Sequence, residues 1–219
     1  MFIGHFGAGF AAKKIDERPS LGTMFFASQF IDLLWPVFLF TGIERVQIDS
    51  GNTAFTPLNF IYYPFSHSLI SVLFWSVLFG SVYYLLKRNL KSSIILGGLV
   101  ASHWVLDLIT HRPDLPLSPW QNFKMGLGLW NSVLLTMLLE GSIFIFGAFL
   151  YMKTTRALNI KGTFGLWGLV LFLSLIYVLN AFGPPPPSEK PIAILGLSIW
   201  LLVAWGYWID RHRELRTNG

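Results

Sequence analysis

The stretch that decides the fold is SSIILGGLVASHWVLDLIT, Ser92–Thr110. It holds nineteen residues and no Lys or Arg, and at 1.5 Å per residue a helix of that length reaches about 28 Å, close to the thickness of a hydrocarbon core. The same stretch carries His103 and Asp107, which a merely apolar span would not contain. Its length speaks to the class of protein, and its two polar residues speak to what the protein does.

Outward from it, five more runs of similar length and polarity are found: Leu21–Thr41, Phe65–Leu86, Leu129–Met152, Thr163–Phe182 and Pro191–Ile209. Composition agrees, with 53% hydrophobic residues, 12% charged residues and a mean hydropathy of +0.57. A soluble domain carries about 25% charge, so this chain has about half of what a water-facing surface requires. With 20 Phe, 9 Trp, 7 Tyr and no Cys, a disordered chain, a disulfide scaffold and an ordinary cytosolic enzyme are excluded. The expectation is an all-α polytopic membrane protein, one domain over residues 1–219, with six transmembrane helices.

The connecting segments test that count. Four segments on one side hold Lys13, Lys14, Arg18, Lys87, Arg88, Lys91, Lys153, Arg156, Lys161, Arg211, Arg213 and Arg216. The other side holds Arg45, Arg112, Lys124 and Lys190, and no base falls inside a span. Cationic loops stay cytoplasmic, so the twelve-base side and both termini are assigned to the cytoplasm of a plasma (bacterial inner) membrane. The net charge of +5 then reflects topology and contact with anionic lipid headgroups, and no pattern points to nucleic acid. Lys13 and Lys14 follow the first apolar stretch instead of preceding it, which argues against a cleavable signal peptide. Met1–Ala12 is too short to span and is read as a re-entrant or interfacial helix. No internal repeat and no interrupted pair of spans is visible, which weighs against a transporter.

Three of the eleven acids lie at membrane depth: Asp32, Asp107 and Glu140. An ionised group near the bilayer centre costs about 3 kcal/mol even on lenient scales, and no Lys or Arg shares their level. They must be protonated, hydrated or bound to metal. Depth counting puts Asp32 and His103 roughly 16 Å from the cytoplasmic ends of their helices and Asp107 roughly 22 Å. His67 falls near the level of Asp107, Glu140 near mid-membrane, and His111 one turn above Asp107 at the outer surface. His5 joins them only if Met1–Ala12 dips inward.

Spacing of four puts His103, Asp107 and His111 on one helical face. His and Asp one turn apart can share one ion, and imidazole with carboxylate suits Zn²⁺, or less selectively Mn²⁺ or Fe²⁺. Gly97, Gly98, Ala101 and Ser102 form a small-residue face that admits a neighbouring helix. Ser102, Asn131 and Asn180 are read as hydrogen-bonding glue between helices.

Gly4-His5, Asp32, Ser66-His67-Ser68 and Ser102-His103-x3-Asp107-x3-His111 together resemble the YdjM-like family of inner-membrane metal-dependent hydrolases, themselves distantly similar to zinc-dependent phospholipase C. The resemblance covers roughly the first half of the chain. It implies His5, Asp32, His67, His103 and Asp107 as metal ligands. The sequence departs from the wider group in lacking its second His-x3-Glu pair, since Thr136 stands four residues before Glu140, and Asp32 is a single acid where the family has an acidic cluster. The expected function is hydrolysis of a phosphoester or related bond in a lipid or lipid-linked substrate. Zinc would activate water, Glu140 and Asp32 would serve catalysis, and Arg112 and His111 would bind the substrate headgroup. A proton- or ion-coupled carrier and a non-catalytic membrane subunit are the alternatives, and a homo-oligomer or a protein partner is left open.

Overall fold

A computed structural model describes residues 1–216. In lipid every backbone N–H and C=O must find its partner within the segment, and the apolar runs accordingly fold as helices. In chain order these are α1 (Ile3–Ile15), α2 (Leu21–Ser28), α3 (Phe30–Phe40), α4 (Pro64–His67), α5 (Leu69–Lys87), α6 (Leu90–Thr110), α7 (Val133–Thr154), α8 (Ile160–Phe182), α9 (Glu189–Leu197) and α10 (Ile199–Asp210). Five are long and apolar enough to cross a membrane, counting α9 and α10 as one, or six if α2 and α3 make a single bent crossing.

Caps fix where the long helices begin. Side-chain oxygens of Ser68, Asn89, Ser132 and Asn159 accept the N–H three residues on, from Ser71, Ser92, Leu135 and Gly162. Such caps satisfy donors that the first helical turn leaves free. They also explain the displaced boundaries. The span expected from Phe65 begins at Leu69, because Pro64–His67 is a separate short turn, and the one expected from Leu129 begins at Val133, after a 3₁₀ turn over Leu129–Asn131.

Two features correct the expectation of uninterrupted spans in a purely α protein. The first apolar stretch is broken, its halves α2 and α3 meeting at 54° around Gln29. Short antiparallel pairs also decorate both ends of the bundle: β1 (Arg45–Ile48) with β2 (Leu58–Tyr62), β3 (Leu115–Pro116) with β4 (Lys124–Met125), and β5 (Thr155–Ala157) with β6 (Arg213–Leu215). The base-rich segments share one end. There Lys13 pairs with Asp210 at 3.2 Å, Ser92 donates to Asp16, and Arg156 pairs with Glu214 at 2.7 Å.

Helix α1 is buried along most of its length. It packs on α7 through a glycine crossing, and a Cβ built on Gly147 would lie 2.0 Å from the Gly7 carbonyl oxygen. Phe6, Phe10 and Phe25 pack beside this crossing with edge-on rings. Of the small-residue face on α6, Gly97 meets the Ser76 carbonyl of α5, while Gly98 faces open space. Large apolar side chains such as Val77, Leu86, Leu171 and Leu201 remain exposed around the bundle, a surface suited to lipid tails and not to water.

Candidate metal centre

Five polar side chains converge inside the bundle, from α1 (His5), α3 (Asp32), α4 (His67) and α6 (His103 and Asp107). All but Asp32 are at most 4% exposed as residues. His5 Nε2 lies 3.1 Å from Asp107 Oδ1, and His103 Nε2 lies 3.3 Å from Asp107 Oδ2 and 3.5 Å from Asp32 Oδ1. His67 Nε2 lies 3.5 Å from Asp32 Oδ1 and 3.8 Å from Asp107 Oδ2. The His5 and His103 rings stack with centroids 3.7 Å apart. Asp32, with an 18% exposed side chain, is the least enclosed of the five.

The local folding is what brings these groups together. The break at Gln29 ends α2 at Ser28, and carbonyls at a helix end have no intrahelical donor. The Ser28 carbonyl uses its freedom to accept the His103 Nδ1–H at 3.1 Å. A carbonyl only accepts, so Nδ1 holds a proton, and in the neutral ring Nε2 presents its lone pair to the cluster. The same break starts α3 with Asp32 in its first turn. Helix α1 reaches the cluster because the glycine crossing lets it lie directly on α7.

The donor set fits a divalent ion. A tetrahedral shell with ligands about 2.1 Å from the metal has edges of about 3.4 Å, and the nitrogen–oxygen separations above run from 3.1 to 3.8 Å. His5, His103 and Asp107 form one group whose ligand atoms all lie within 4.8 Å of one another, and Asp32, His67 and His103 form another. His103 is common to both. Among the described residues its Nε2 is buried without a hydrogen-bond partner, the state expected of an atom built to hold a ligand.

The other expected residues lie elsewhere. Glu140 is fully buried, and its Oε2 accepts the Phe2 N–H at 2.8 Å, satisfying a free donor at the start of α1, while Oε1 has no partner among the described residues. His111 is not at an exposed outer surface. It is 2% exposed, packed against Trp130 and Phe60, and its Nδ1 lies 2.9 Å from Asp114 Oδ1. Burial lowers the His111 pKa from its ordinary value. Burial pushes Asp114 up, but the hydrogen bond and charge of His111, with Arg112, outweigh it and leave that carboxyl below its usual range. Arg112 reaches the surface on the same side, bonding Asp114 at 3.1 Å and Asn59 at 2.6 Å, beside a polar cleft that Lys124 also lines. Tyr63 connects the two regions, its hydroxyl 3.2 Å from Asp114 Oδ1 and its ring beside that of His67.

Sequence reasoning missed three participants. The backbone nitrogen of Met1 sits 2.5 Å from Asp107 Oδ1. The Ser28 carbonyl acts through backbone geometry that composition does not reveal. Glu44, which is not among the three acids at membrane depth, is 1% exposed and bonds to the segment carrying His67, and nothing in its local sequence signals this. No family model matches the chain, and no curated protein or solved structure matches it significantly.

Proposed function

We propose that the protein is a membrane-embedded metal-dependent hydrolase that cleaves a phosphoester or related bond in a lipid or lipid-linked substrate, as the resemblance to the YdjM-like family implies. The observation that carries this is the convergence of three imidazoles and two carboxylates, drawn from four helices, at ligand-shell spacing. His5, Asp32, His67, His103 and Asp107 would hold one or two divalent ions, zinc by the chemistry of the donors. A bound ion would lower the pKa of its water to about 7 and polarise the substrate's phosphoryl or acyl oxygen.

The chain's own residues do the rest. Asp32, the most accessible of the set, faces the entering substrate and can hold the proton of the attacking water. The unpartnered Oε1 of Glu140 remains available as a proton acceptor. Arg112 and Lys124, at the mouth of the outer cleft, offer cations to a headgroup phosphate. His111, buried on Asp114, serves that cleft through its packing and does not touch the headgroup itself. In this account the bundle makes six crossings, with α2 and α3 as one. Helix α1 is a re-entrant half-helix, and both termini face the cytoplasm of a bacterial inner membrane.

A proton- or ion-coupled carrier is favoured by one specific observation, the broken span at Gln29 beside Asp32, since interrupted helices line the binding sites of carriers. One experiment separates the two. Purified protein in mixed micelles is given zinc and a short-chain phospholipid or lipid-linked phosphate, and released product is measured. Metal-dependent release abolished by Asp32→Asn supports the hydrolase. Absence of release, together with proton-gradient-driven uptake in proteoliposomes, supports the carrier.

A further inference from the structure

Beside the ligand cluster runs a chain of hydrogen bonds that metal binding alone does not require. Glu44 lies between α3 and β1, 21 residues before Phe65 in sequence, yet its carboxylate closes over the start of α4. Its Oε1 accepts the N–H groups of Phe65 and Ser66, each at 2.8 Å, and its Oε2 lies 2.5 Å from Ser66 Oγ. Ser66 Oγ in turn lies 2.7 Å from His67 Nδ1. The N-cap of this helix, Tyr63, makes no side-chain cap, so Glu44 supplies the acceptor its first turn lacks.

The polarity of this chain follows from counting protons. In its ionised form the Glu44 carboxylate only accepts, so the Ser66 hydroxyl donates to Oε2. The hydroxyl oxygen is then free to accept, and its neighbour His67 Nδ1 must carry the proton. In the neutral ring Nε2, on the opposite side, is left with its lone pair on the side of Asp32 and Asp107. The other acceptor near the hydroxyl, the Tyr63 carbonyl at 3.5 Å, is at the limit of a hydrogen bond.

We propose that Glu44 and Ser66 are positioning residues that fix the tautomer and orientation of His67, holding its Nε2 as a ligand toward the cluster. This rests on the metal-centre reading above and names the outer partners that would make it work. Outer-shell partners of this kind typically alter metal affinity by about 10–100-fold.

Glu44→Gln isolates the relay from the cap. The two backbone donors require an acceptor at the Oε1 position, which places the amide nitrogen at the Oε2 position. There it donates to Ser66 Oγ, the hydroxyl turns to His67 Nδ1, and the imidazole proton moves to Nε2. The shape of the side chain and the cap are retained. Histidine-¹⁵N spectra of the metal-free full-length protein at about pH 9, where ordinary imidazole is neutral, read the tautomer directly. The signals of His67 are identified by their loss in His67→Asn.

The expected result is an Nδ1–H tautomer in the unaltered protein and Nε2–H in Glu44→Gln, with zinc affinity reduced about 10–100-fold. Ser66→Ala, which keeps the cap and deletes the relay, should abolish the Nδ1–H preference and guards against misfolding of the first variant. An unchanged His67 tautomer in either folded variant overturns the proposal, whether or not zinc binds. A tautomer switch in a protein that never takes up metal upholds the relay and removes the hydrolase reading instead.

Discussion

Helix α1 delivers His5 to the cluster, and its position is set by its crossing with α7. Replacing Gly147 by Ala tests this link between packing and chemistry. The added methyl would sit 2.0 Å from the Gly7 oxygen, whereas ordinary contact begins near 3.4 Å. The neighbour is backbone, not a flexible side chain, so the helices must part by about 1.4 Å, the difference between the two distances. Metal–ligand distances tolerate about 0.2 Å. A shift several times larger takes His5, two residues from Gly7, out of the ligand set. Overpacking of this kind costs about 1–3 kcal/mol, and each kcal/mol lowers the Tm of a chain this size by about 2–4 °C. The nine Trp residues make intrinsic fluorescence a suitable assay in detergent. A fall in Tm of about 2–12 °C with zinc affinity at least tenfold weaker is expected. An unchanged Tm together with unchanged zinc affinity would refute the reasoning.

Further outcomes follow from other parts of the molecule. Asp107→Asn should weaken zinc binding by at least 100-fold, read by competition with a chromogenic chelator, because Asp107 lies within 3.8 Å of three imidazoles. Asp210→Ala should destabilise the fold by about 3 kcal/mol, as the buried Lys13 would lose its carboxylate partner and the Leu21 N–H and Tyr151 hydroxyl their acceptor, the usual consequence of leaving one buried charge unpaired. Burial pushes the Glu44 carboxyl up to about 7 from 4.5. The folded state therefore binds more protons than the unfolded one between those values, and the stability Glu44 contributes is complete below about pH 4.5 and lost as pH rises through about 7. The change is on the order of 3 kcal/mol. Thermal melts across that range should show it, and Glu44→Gln should flatten it while melting no lower than the unaltered protein at pH 8.

Much of this architecture is legible in the sequence because the bilayer simplifies the problem. Ser92–Thr110 announces a span by length and apolarity alone, and its His103 and Asp107 stand out because polar groups there are costly. The break at Gln29 is less legible. Ser28-Gln29 makes a polar step inside the apolar run Leu21–Thr41, but such a step by itself does not specify a bend, and Pro36 lies seven residues past it. The depth count grouped His67, His103, Asp107 and Asp32 because rise per residue is fixed within a helix. The same count left His111 at the surface, because the loops that bury it, carrying Phe60, Asp114 and Trp130, obey no such period. Glu44 and the Ser28 carbonyl act through tertiary folding, which spacing along the chain does not encode.

The central claim is that the buried His and Asp cluster binds a metal ion, and stoichiometry measures it most directly. Protein purified in detergent, loaded with zinc and passed through a desalting column should retain one to two zinc ions per chain by elemental analysis. His103→Ala, which removes the ligand common to both groups, should retain almost none while remaining folded. No retained zinc in the unaltered protein, or equal retention in His103→Ala, would contradict the account.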